Sequence, residues 1–103
     1  MTSHLVEILL PTTTGDGQPV RQGRFEELLQ ELTERFGGAT SFVRLPGKGL
    51  WETGGNVETE NIAVIEVMTE GLDVAYWKTL RQRLERELSQ EEIIIRAQEI
   101  RRL

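Results

Sequence analysis

Residues 60–69, ENIAVIEVMT, constrain the fold more than any other stretch of the chain. Isoleucine, valine and threonine are concentrated there, and such branched side chains pack best on a pleated surface, so the segment reads as a strand. With a two-residue period, Ala63, Ile65 and Val67 take one face, while Ile62, Val64 and Met68 take the other with Glu66 among them. A run apolar on both sides belongs inside a sheet, and a carboxylate within it calls for an explanation.

The remaining elements are ordered around this strand. Residues 4–10 form a first strand with Val6, Ile8 and Leu10 on one face and Leu5, Glu7 and Leu9 on the other. Residues 11–20, PTTTGDGQPV, form a loop. Its glycines and hydroxyls are of a kind that cradles anions, but the lysine of a phosphate loop is absent and turn chemistry accounts for the composition. Phe25, Leu28, Leu29, Leu32 and Phe36 recur at helical spacing and predict a helix over residues 22–36, with Glu26, Glu27, Glu31 and Glu34 toward water and Gly37 as a left-handed cap. Residues 39–45 form a second strand. Residues 72–88 form a second helix, capped by Asp73 and striped by Tyr76 or Trp77, Leu80, Leu84 and Leu88. Residues 91–98 form the last strand.

A βαββαβ order in 103 residues predicts one α+β domain over residues 1–103. Its architecture is a ferredoxin-like sandwich, a four-stranded antiparallel sheet of order 4-1-3-2 with both helices on one face. Strands one and three, the most apolar, are expected to be the central pair and to run parallel. The helices would cover Val6, Ile8, Leu10, Val43, Leu45, Ala63, Ile65, Val67, Ile93, Ile95 and Ala97. The open face then carries seven large apolar side chains, Leu5, Leu9, Phe42, Ile62, Val64, Met68 and Ile94, which is more than water tolerates. The expected cover is a second copy in a homodimer, the loop around Trp51, or both.

Composition narrows the function. A net charge of −5 and a pI near 4.9 argue against a general grip on nucleic acid, and Lys78, Arg81, Arg83 and Arg86 read as the solvated side of a helix. With no cysteine, disulfides, thiolate chemistry and cysteine-based zinc sites are excluded. No cofactor motif is present, and no metal site is expected, since the single histidine, His4, falls on the helix-covered face by parity. The first residues lack a basic leader and their apolar run breaks at Pro11, so neither a membrane span nor an export signal is expected, and the cytoplasm is the expected location.

The open face holds the one constellation that resembles a site. Glu7 and Glu66 lie on neighbouring central strands, flanked by Arg96 and Arg44, with Phe42 on the same face and Trp51 in the long glycine-rich connection of residues 46–60. Two carboxylates in a partly dry pocket are candidates for acid-base catalysis, and the arginines and aromatic rings for ligand binding. The plainer account has each acid paired with an arginine to fix register, because buried charges need partners. For Trp51 the plainer account is packing on its own sheet or a subunit interface.

Phe25, the Phe36-Gly37-Gly38-Ala39-Thr40 turn, Gly49-Leu50-Trp51, Gly54-Gly55, Glu60 and Gln90-Glu91 together resemble the uncharacterised bacterial family DUF3574. That resemblance implies a ferredoxin-like fold and a role for the Gly-x-Trp loop, without an established chemistry; many members of the family are exported, whereas no export signal is expected for this chain. The sequence therefore leads to an interaction module that homodimerises through its open face, with a small-molecule-binding protein or enzyme using the Glu/Arg pocket as the alternative. An RNA-binding sheet is disfavoured, since the central strands carry glutamates where such sheets carry stacking aromatics.

Overall fold

The computed structural model describes residues 2–38, 40–44, 52–53, 56–57 and 62–103, the short segments between 40 and 57 as backbone. In chain order the elements are β1 (Ser3–Pro11), α1 (Gln22–Phe36), β2 (Thr40–Arg44), β3 (Glu52–Thr53), β4 (Asn56–Val57), β5 (Ile62–Glu70), α2 (Val74–Glu87) and β6 (Ile94–Ile100). β1 lies between β5 and β6 and is antiparallel to both, which gives an α+β core of three strands and two helices. The backbone of β2 runs antiparallel along the far side of β5, and β3 and β4 form a separate two-stranded ribbon. The expectation of a parallel central pair is thus corrected. The chain runs along β1, returns through α1, repeats the first direction in β2 and reverses into β5, so β5 must oppose β1.

Both helices bury onto the same face of the sheet. Val6, Ile8, Leu10, Ala63, Ile65 and Val67 meet Leu28 and Leu32 of α1 and Trp77, Leu80 and Leu84 of α2 in one apolar cluster, as the two-residue and 3.6-residue periods require. Fully burying side chains of this size is worth about 1.5–3 kcal/mol each, so this layer is the main source of stability. Ala97, expected within the layer, is exposed, because it sits on the outer strand. The side chains of Val43 and Leu45 lie outside the described residues.

Local chemistry sets the element ends. Gly37 adopts φ 84° and its N–H donates to the Thr33 carbonyl, the left-handed cap that the glycine predicts. The Asp73 carboxylate accepts from the Tyr76 N–H at 3.1 Å and caps α2. β6 begins later than the sequence pattern suggests, because residues 90–93 are fastened to the last turn of α2: Gln90 N–H donates to the Glu85 carbonyl at 2.9 Å and Ile93 N–H to the Glu85 carboxylate at 2.9 Å. Ile93 is buried as predicted but precedes the strand.

The loop after β1 closes on itself. Thr14 N–H donates to the Gln18 carbonyl at 2.7 Å, Gln18 N–H to the Thr14 hydroxyl at 3.1 Å, and Val20 N–H to the Thr12 carbonyl at 2.9 Å. Gly15 N–H donates to the Leu88 carbonyl at 3.1 Å, which seats the loop on the end of α2. These bonds occupy the amides that an anion would need. A Cβ built at Gly15 would lie 1.7 Å from the Ser89 carbonyl oxygen, so only glycine permits this approach. Gly15→Ala is therefore expected to lower the unfolding free energy by about 1–3 kcal/mol. Gly23→Ala, where a Cβ meets open space in the first turn of α1, is expected to raise it by up to about 1 kcal/mol. Urea denaturation of the two variants beside the parent checks both signs.

Candidate functional site

The register of the sheet places the candidate residues in rows. On the open face one row runs Arg96, Glu7, Glu66, Thr40 across β6, β1, β5 and β2, and the next runs Ile94, Leu9, Val64, Phe42. Glu7 and Glu66 are therefore direct cross-strand neighbours, as the sequence placed them. Directly opposed like charges disfavour one another, so this pair is a liability for the sheet unless something compensates.

Compensation is unequal. Glu7 is nearly buried, with a side chain 12% exposed, and its Oε1 accepts from Arg96 Nε at 3.1 Å. Glu66 is half-buried and has no ion-pair partner among the described residues. Arg44 is placed by the backbone register opposite Ile62, four residues along β5 from Glu66. At about 3.3 Å per residue the two backbones are some 13 Å apart along the strand, so Arg44 does not flank Glu66 as Arg96 flanks Glu7. The side chains of Arg44 and Phe42, and all of Trp51, lie outside the described residues.

Glu66 instead lines a cleft of about 450 Å³ with Leu5, Met68, Phe36, Gly37, Gly38 and Arg102. The cleft forms where the turn after α1 meets the open face. Gly37 is needed by the helix cap, but Gly38 needs no left-handed backbone, and a Cβ on it would meet no atom of the described residues within 4 Å. The second glycine thus leaves the cleft mouth unobstructed. A carboxylate and a guanidinium line the same space without forming an ion pair, which suits a ligand carrying both a cationic and an anionic group. Sequence reading passed over this pocket because the glycine pair read as a cap and Arg102 lay beyond the last recognisable strand. The FGG turn followed by an acid on the adjoining strand was the available signal.

The rest of the open face is better covered than its composition suggests. Of its large apolar side chains among the described residues, Val64 is fully buried, Leu5, Leu9 and Ile62 are half-buried, and only Met68 and Ile94 are exposed, at 55% and 49%. His4 lies on the helix side by parity, and its buried Nδ1 has no hydrogen-bond partner among the described residues. Among the described residues no cluster of three or more His, Cys, Asp or Glu side chains is grouped to hold a metal ion, and no helix is long and apolar enough to cross a membrane.

A second polar cluster joins the outer sides of the helices. Both Glu31 oxygens accept from Arg83 at 2.8 Å, and one also accepts from the Tyr76 hydroxyl at 3.1 Å. Arg24 pairs with Glu87 beside them, and the Arg35 guanidinium lies 3.9 Å over the Tyr76 ring. Glu31, assigned to water by its helical position, is instead the acceptor that ties α1 to α2. Burial and the Glu31 carboxylate together push the Tyr76 hydroxyl up to about 12. Every group in this cluster has a partner, so it reads as a helix clamp.

The architecture is similar to that of a phage SAM lyase in complex with S-methyl-5'-thioadenosine, with a TM-score of 0.62 and 21% identity over 94% of this chain and 81% of the lyase. The apo state of a phage SAM lyase gives a TM-score of 0.60 at 21% identity, over 95% and 81%. Neither a family model nor a curated protein sequence matches the chain, so the likeness to DUF3574 rests on the quoted residues alone.

Two outcomes follow from this geometry. Glu7→Ala should cost about 1–3 kcal/mol in urea denaturation, since it empties a nearly buried position and breaks the bond to the half-exposed Arg96, whereas Glu66→Gln should stay within about 1 kcal/mol of the parent or gain, since it removes the like-charge opposition. Equal losses for both would mean that Glu66 is a structural partner. Tyr76 is the only tyrosine, so alkaline absorbance titration should show one phenol ionising near 12 and not near 10.0. Because its folded pKa is raised, the clamp's contribution is fully present below pH 10 and falls away as pH rises toward 12.

Proposed function

We propose that this protein binds a small molecule in the cleft at Glu66, and that the ligand is a cationic adenosyl compound of the S-adenosylmethionine type. The finer description of the scaffold belongs to the same reading: a ferredoxin-like sandwich in which β2 is the fourth strand and the open face carries the ligand. The observation that carries it is the unequal pairing of the two central carboxylates. Glu7 has Arg96, while Glu66 faces the cleft without a described partner, against Phe36 and the open glycine turn. A sulfonium ion placed there relieves the opposed charges, an aromatic edge suits a purine, and Arg102 suits an α-carboxylate. The structural neighbour acts on a compound of this class and was captured with the corresponding thioether.

The reaction named by that neighbour suggests which steps this site would serve. When the bond between sulfur and the terminal methylene of the aminocarboxypropyl chain breaks, its electron pair stays on sulfur and the sulfonium becomes a neutral thioether. A carboxylate that only faces the sulfonium would then hold the substrate better than the transition state. A catalytic role for Glu66 requires that it take a proton from the departing chain or orient that chain's own nucleophile. Binding is accordingly the primary claim, and lyase activity the one to assay next.

A competing reading keeps the open face as the contact of a homodimeric interaction module, and the exposure of Met68 and Ile94 favours it. The two are separated by ligand charge. Calorimetry should show S-adenosylmethionine binding the parent protein, with Glu66→Gln weakening it about tenfold or more while changing S-methyl-5'-thioadenosine by less than about threefold. Gly38→Leu, which projects into the cleft, should weaken both without lowering stability. Absence of binding by either compound, or a Glu66→Gln variant that binds the cation unchanged, would overturn the proposal.

A further inference from the structure

Among the described residues β6 is an outer strand that pairs with β1 alone, and one row of its backbone N–H and C=O groups has no described strand beside it. Sheets usually blunt such an edge with proline, a bulge or charged side chains. Here β6, IIRAQEI, contains no proline and keeps unbroken register with β1 from Ser3↔Ile100 to Leu9↔Ile94. Beside the edge a groove of about 330 Å³ separates β6 from α2, with Trp77, Ile95 and Ala97 among its lining residues and Lys78 and Arg81 also bordering it. Neither cation has an ion-pair partner among the described residues. Among the described residues the edge thus has neither proline nor bulge; its charges are Arg96, which pairs with Glu7, and Glu99, and the groove beside it is apolar and bordered by two cations.

We infer that two copies of this chain join β6 to β6 in an antiparallel, two-fold pair centred on Ala97, extending the sheet across the dimer. The sequence of the strand selects both occupant and register. A two-fold axis perpendicular to the sheet passes through one β6 residue, and side chains opposite one another then share a face. Centred on Arg96 or Glu99, like charges would meet across the axis, which is disfavoured. Centred on Gln98, Arg101 of the second copy would come opposite Ile95, beside Lys78 and Arg81. Centred on Ala97, two small side chains meet, exposed Ile94 meets Ile100 of the second copy, and Glu99 of the second copy comes opposite Ile95. That glutamate then enters the groove bordered by Lys78 and Arg81, and the contact occurs twice by symmetry. This surface differs from the open face that the sequence alone suggested, and it leaves the Glu66 cleft uncovered.

The chain has no cysteine, so a single introduced one reports its own neighbour. Sedimentation of the full chain should give about twice the 11.8 kDa monomer mass at concentrations up to roughly 100 µM. Mild oxidation should cross-link Ala97→Cys to itself. Glu99→Lys should weaken the dimer about tenfold or more, since attraction becomes repulsion at two symmetric places, and adding Lys78→Glu with Arg81→Glu should restore it. A monomer throughout this range, failure of the charge swap to restore association, or cross-linking of Met68→Cys in place of Ala97→Cys would overturn the inference. The last result would move the contact to the open face.

Discussion

β1 gives its backbone to two partners, and the rest of the molecule depends on that double pairing. Because β5 and β6 are both registered against it, no β1 residue can move without breaking two ladders. A slip of one position would carry Val6, Ile8 and Leu10 to the open face and Glu7 into the helix-covered core, an outcome excluded by the apolar layer above. The hydrophobic alternation of one strand therefore fixes where every charged group of the open face stands. Glu7 is held between Arg96 and Glu66 by the need to bury its neighbours, with no need for the charges to attract.

That constraint explains why an unfavourable pair persists. Two carboxylates opposed in the centre of a sheet are paired with one well-placed guanidinium, on the β6 side. A fold selected for stability alone would more readily carry a threonine or an arginine at position 66. The helix side of the molecule shows what full satisfaction looks like, since Glu31 accepts from both Arg83 and Tyr76 and nothing is left over. The contrast between a saturated clamp and a carboxylate without a described partner, within one small domain, is the physical basis for reading the first as structural and proposing a ligand for the second.

Most of the scaffold was legible because it rests on periodicity and caps. The stripes of α1 and α2, the Gly37 and Asp73 caps and the two apolar faces of β5 all follow from side-chain spacing. The start of β6 was not legible, because it depends on Glu85 reaching forward to Ile93, a tertiary hydrogen bond with no local signature. The direction of the central pair required counting chain reversals, which the residue pattern does not do. On the open face, parity alone places Arg96, Glu7 and Glu66 in one row, while the register sets the backbone of Arg44 four residues along β5 from Glu66, because parity gives the face of a strand but not the distance along it. Gly38 and Arg102 escaped because a cleft is a property of where segments end in space.

The two glycines after α1 show how the scaffold and the site share one sequence signal. Ending the helix needs only a single left-handed residue, and Gly37 supplies it. Gly38, the next residue, lines the cleft, and a side chain there would meet no atom of the described residues within 4 Å, so neither backbone strain nor a described neighbour accounts for a second glycine. Glu66 on the adjoining strand lies in the same cleft and lacks a described protein partner. A missing side chain and a missing counter-charge that converge on one volume are complementary defects from the standpoint of stability. A bound cation of appropriate size remedies both, which makes occupancy the simplest physical account of why they occur together.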